Sequence, residues 1–141
     1  MDAVAEQRRT EIQSAISRFQ TSIDNNHIEI RGIESDIERL RTQRWVVQEN
    51  MGTAAGFHNS IVETPNAVSQ RLFRGDNRDN LSNKLEGMRE IFFRQMAGHN
   101  ENIATINEGI AALEESERRL ISSNRTLENE ISSLRRELRR L

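Results

Sequence analysis

Residues 103–141, IATINEGIAALEESERRLISSNRTLENEISSLRRELRRL, decide how this chain is read. Ile103, Ile106, Ile110, Leu113, Leu120, Leu127, Ile131, Leu134, Leu138 and Leu141 follow a track of alternating steps of three and four. Glu117 and Asn124 occupy two positions of the same track. A helix turns once every 3.6 residues, so this rhythm lays one narrow apolar seam along it. A seam that narrow is buried only against another helix.

Working outward, the matching helix lies at the other end of the sequence. Ile12, Ile16, Phe19, Ile23, Ile30, Ile33, Ile37, Leu40, Val47 and Met51 keep the same rhythm, with Asn26 and Arg44 in seam positions. The expected fold is all-α: an elongated, coiled-coil-like antiparallel two-helix hairpin forming a single domain over residues 1–141. The first helix is expected over 2–51, because Gly52, Gly56 and Pro65 punctuate the residues beyond Met51. A structured connector is expected over 52–76, with Phe57, Ile61 and Val62 packed and a short helix from Ala67 to Phe73. The second helix is expected over 77–141. Within it, Leu81, Leu85, Met88 and Phe92 fit one register, and Met96, His99 and Ile103 onward another. The join is a stutter, which locally unwinds a coiled coil.

Polar seam residues set register or partner number at the expense of stability, so Asn26, Glu117 and Asn124 are read as a register-setting group. Apolar residues off the seam carry the opposite message. Trp45, Val46, Ile91 and Phe93, with Phe92 and Met96 beside them, present apolar surface on more than one side. Fully burying such a side chain is worth roughly 1.5 to 3 kcal/mol, so these six are candidate partner-binding residues.

Composition points the same way. Aromatics are 4% and charged residues 30%, too few large apolar groups for a globular core. A formal net charge of −2 argues against a general nucleic-acid binder. Arg135, Arg136, Arg139 and Arg140 form a basic tail whose simplest role is to complement a helix C-terminus. With no Cys, disulfides and thiolate metal sites are excluded. No apolar run approaches the roughly 18 to 20 residues of a membrane span, so membrane insertion is not expected. Residues Met1–Thr10 are charged and lack the apolar core of a general secretory signal peptide.

Catalytic or cofactor chemistry finds no foothold. His27, His58 and His99 are scattered, without helical metal-site spacing, and His99 on the seam reads as a hydrogen-bonded core histidine. Asp36 with Glu38, and Glu114 and Glu115 with Glu117, are one to three residues apart on a helix, as on a solvated face. No glycine-rich phosphate loop is present. The chain is read as a non-enzyme without cofactor or metal.

The break carries a further signal. Phe73-Arg74-Gly75, followed by Asn77, Leu81 and an amphipathic helix, resembles the Trp-x-Gly signature of the WXG superfamily. Those are small helical hairpins handled by type VII secretion systems of Gram-positive bacteria. Within that group the chain is similar to the longer YwqH-like and Lap-type proteins, which share the Ile/Leu-spaced helices and a Ser-Ser-Leu-like repeat, here Ile131-Ser132-Ser133-Leu134. The resemblance implies a hinge motif, Phe73 plugging the hairpin end and Gly75 letting the backbone turn. It also implies a partner: the helical N-terminal LXG domain of a toxin or effector, bound by an adaptor or targeting chaperone, with room for a second small helical partner. The family's export signal places an acidic residue four positions after Tyr or Phe. Asn77 stands there in this chain, so the partner or a composite surface is expected to supply that signal. The implied location is the cytoplasm before export, with co-secretion alongside the effector. The rival reading is a self-associating structural coiled coil, such as a homodimer, without a secretion role.

Overall fold

Asp2 starts the first helix. The Val4 amide donates to Asp2 Oδ1 at 3.1 Å and the Glu6 amide to the Asp2 carbonyl at 3.2 Å, satisfying two amides of the first turn. The structure, a computed structural model, describes the backbone of residues 2–72 and 76–141 and the side chains of residues 2–61 and 80–141. It contains two helices, α1 (Ala3–Leu72) and α2 (Asp76–Arg140), which pack against each other. No strand occurs among the described residues, and the all-α helical hairpin expected from the two seams is the observed fold.

The expected connector is the main correction. The first helix does not end at Met51, and residues 52–72 are not part of a connector with a separate short helix. Instead α1 continues through Gly52, Gly56 and Pro65 to Leu72. Glycine costs a helix about 1 kcal/mol and proline about 3, which is why local signals argue for a stop. Seam burial continues past the two glycines. Past Met51 the seam goes on at steps of three, four and three through Ala54, His58 and Ile61, all half-buried. Most helix stability in proteins comes from such tertiary burial and not from propensity. Phe73 and Gly75, the hinge motif, lie outside the described residues.

The chain forms two compact units. The terminal unit comprises Met1–Arg39 with Ile110–Leu141. It holds every buried apolar side chain found among the described residues: Ile12, Ile23, Ile30, Ile33, Ile37, Ile110 and Ile131. Its helices run antiparallel, since Arg8 meets Glu137 and Asn26 meets Asn124. The middle unit comprises Leu40–Gly109. It too is an antiparallel pair, with Arg44 Nη1 donating to Asn107 Oδ1 at 2.7 Å and His58 stacked on Phe92. The helices approach closely at Gly109, where an added Cβ would stand 3.4 Å from Leu40 Cδ1.

Candidate partner-binding surface

The seam of the middle unit contains Arg44, Ala54, His58 and His99 among its apolar residues, so it covers itself poorly. Two grooves open between the helices. In the first, of about 320 Å³, α1 contributes Ala54, Phe57, His58 and Ile61. Facing them, α2 contributes Leu85, Met88, Ile91, Phe92 and Gln95. Both sets follow the i, i+3/i+4, i+7 spacing of a helix-facing stripe. The second groove, of about 490 Å³, runs between Gln43, Val46 and Val47 on α1 and Asn102, Thr105 and Ile106 on α2, with Thr42 at its edge.

Both grooves lie on one flank of this unit. Gln43, Val46, Phe57, Ile91, Gln95, Asn102 and Thr105 each precede a seam residue, which turns them about 100° to the same side of their helix. In an antiparallel pair the preceding flanks of the two helices adjoin, as their shared grooves require. Trp45 and Phe93 instead follow seam residues, turn to the other flank and line neither groove. None of the sixteen groove-lining residues is Asp, Glu, Lys or Arg, in a chain that is 30% charged. An ordinary solvated face would carry several.

The six partner-binding candidates separate accordingly. Trp45, Val46, Ile91 and Phe93 are 60%, 44%, 56% and 58% exposed. Phe92 and Met96 are half-buried seam residues, and Phe92 stacks on His58 with ring centres 4.1 Å apart and planes 13° from parallel. Phe93 meets Phe92 edge-on at 5.6 Å. Phe57, expected to be packed, is instead 66% exposed, and sequence reasoning passed over Met88 at 44% and His58 as surface residues. The signal was available: once the seam is continued through His58, Phe57 stands to it as Ile91 stands to Phe92. His58 Nε2 is sealed in without a hydrogen-bond partner, a rare state for a buried polar atom.

The polar residues read as a register group lie in the terminal unit. Asn26 Nδ2 donates to Asn124 Oδ1 at 2.8 Å, and Asn124 is only 5% exposed. Its own Nδ2 is buried and unpartnered. Glu117 is half-buried on the same seam. Several charges on this unit's surface are paired. Arg8 donates through Nε and Nη2 to both Glu137 oxygens, at 2.8 and 3.1 Å. The Arg8 hydrogen bond holds the Glu137 carboxyl below its ordinary value, and hydrogen bonding from Arg118 does the same for Glu115. In the basic tail, Arg139 Nε donates to the Arg135 carbonyl at 3.4 Å, a cation on a last-turn carbonyl.

Among the described residues no group of three or more His, Asp or Glu side chains could hold a metal ion, and no helix is long and apolar enough to cross a membrane. No family model, curated protein or solved structure matches the chain.

Proposed function

We propose that this protein is a helical adaptor or targeting chaperone that binds the helical N-terminal domain of an LXG-type effector destined for type VII secretion. One observation carries the binding role. Of the ten large apolar side chains found exposed, six belong to the middle unit: Trp45, Val46, Phe57, Met88, Ile91 and Phe93. The Phe73-x-Gly75 break and the Ser-Ser-Leu-like repeat direct that role toward the WXG-like group. In this reading the effector lays an amphipathic helix against the flank that displays Trp45 and Phe93. Each large side chain it covers contributes roughly 1.5 to 3 kcal/mol, enough for a few anchors to set the affinity. The adaptor performs no chemistry; it shields apolar effector helices and presents them to the export machinery, remaining with its cargo until release.

Co-expression with the large product of the neighbouring gene tests the proposal. The expected result is a complex that survives purification and is weakened when Trp45→Ala and Phe93→Ala are combined. A well-behaved free protein that forms no complex with that product overturns it.

A further inference from the structure

We infer that residues 129–139 of α2 form a docking stripe for an acidic helical segment of a partner protein, one that carries carboxylates at i, i+3 or i+4, and i+7. Asn129, Ser132, Arg135, Arg136 and Arg139 line an open groove of about 490 Å³ on the terminal unit. Four of them, Asn129, Ser132, Arg136 and Arg139, recur at steps of three, four and three. They therefore share one side of the helix over about 15 Å. All five are exposed, each carries a hydrogen-bond donor, and no carboxylate lines the groove.

The charges around the stripe leave it without a counter-charge. Glu137 is the only acidic residue among residues 131–141, beside four arginines. Arg8, from the other helix, engages both its oxygens, at 2.8 and 3.1 Å. Among the described residues none of Arg135, Arg136, Arg139 and Arg140 forms an ion pair, whereas Arg39, Arg94, Arg118 and Arg119 each meet a carboxylate on their own helix. A helix C-terminus carries only about half a negative charge, so complementing it accounts for a fraction of the four cations. Arg139 Nε donates to the Arg135 carbonyl at 3.4 Å, which leaves the Nη groups for a carboxylate.

The surroundings select the occupant. A helix enters a lipid surface by its apolar face, and here Ile131 is buried in the seam with Leu134 and Leu138 half-buried beside it. A nucleic-acid backbone rewards an unbroken basic field, whereas exposed Glu128 and Glu130 stand beside the groove and the chain has a net charge of −2. A small free anion is favoured at a helix N-terminus, where backbone N–H groups point outward; this end offers carbonyls. An acidic helix meets none of these objections. Its carboxylates at i, i+3 or i+4, and i+7 span about 10 Å, within the length of the stripe, and guanidinium forks bind carboxylates bidentately. Exposed pairs are weak singly and screened by salt, so the stripe steers and orients a partner more than it anchors one. It uses neither Trp45 nor Phe93 and does not rest on the effector reading.

Fluorescence anisotropy tests this, with the full chain titrated into a labelled helical peptide carrying Glu at i, i+3 and i+7. The expected result is saturable binding at low salt that weakens as salt rises and is lost when the peptide's Glu residues become Gln. Combining Arg135→Gln, Arg136→Gln and Arg139→Gln should weaken binding about tenfold, the combined effect of three exposed pairs. Combining Arg118→Gln with Arg119→Gln should leave it nearly unchanged, because Glu115 already pairs with both. All five arginines are exposed, so helicity by circular dichroism should persist. Three results overturn the inference: no binding of the Glu peptide, equal losses from the two sets of substitutions, or tighter binding to phosphatidylserine vesicles or duplex DNA than to the peptide. Trp45→Ala with Phe93→Ala should leave peptide binding intact while weakening effector capture, so either idea can fail without the other.

Discussion

The terminal and middle units share one heptad rhythm and differ in what it accomplishes. In the terminal unit the rhythm is filled by isoleucine and leucine, and seven isoleucines are buried by two helices alone. In the middle unit the same positions include Arg44, Ala54, His58 and His99, none of the buried isoleucines occurs, and Trp45, Val46, Phe57, Ile91 and Phe93 sit on the flanks. A repeat therefore sets which face of a helix turns inward, while residue size at the repeat sets whether two helices can finish the burial. The terminal unit is complete as a hairpin. The middle unit turns its apolar surface outward, where a further helix can use it.

The comparison breaks most readily in the cores. Ile23→Ala or Ile37→Ala should cost about 2 to 5 kcal/mol, the usual range for emptying a sealed aliphatic site. Leu85→Ala, at a half-buried position, should cost less than half as much. Urea unfolding of the three variants, under conditions that keep the chain monomeric, decides it; equal losses would erase the distinction between the units.

The buried amide pair gives the next largest effect. Asn26→Ala removes the one donor to Asn124 Oδ1 and leaves a 5% exposed amide unpaired, a loss of about 1 to 3 kcal/mol. Replacing both by leucine should recover that loss, because it also removes the orphaned Asn124 Nδ2. If the double leucine variant melts below Asn26→Ala, the pair stabilises more than its geometry accounts for.

In the middle unit, Gly52→Ala and Gly56→Ala should each stabilise by up to about 1 kcal/mol, since an added Cβ meets nothing within 4 Å at either site. Gly109→Ala should gain less, with Leu40 Cδ1 already 3.4 Å from the new methyl. Thermal melts that rank Gly109→Ala first would contradict the local geometry.

Acid sensitivity is the smallest expected effect and belongs to the terminal unit. Glu137 is held below its ordinary value chiefly by the Arg8 hydrogen bond. Its contribution is present above the ordinary carboxylate range and is lost as pH falls through the lowered value. The pair is exposed, so the contribution is small and screened by salt. Glu137→Gln should flatten the acid limb of stability against pH slightly, at low ionic strength only.

Much of this was legible in the chain. The two seams and the stripe that each helix turns inward follow from positions in a repeat, which any helix must obey; which of Glu117 and Asn124 meets Asn26 did not. The grooves were not legible, because stopping the first helix at Met51 hid the relation of Phe57 and His58 to Ile91 and Phe92. A glycine signal is a local term of about 1 kcal/mol, and it does not register the burial that Ala54, His58 and Ile61 find against the opposite helix. The sequence by itself thus determined that two helices exist and which stripe of each turns inward, since backbone geometry converts spacing into direction. Only the tertiary structure decided how far α1 runs and which apolar side chains two helices leave uncovered, because both depend on what the opposite helix brings to each position.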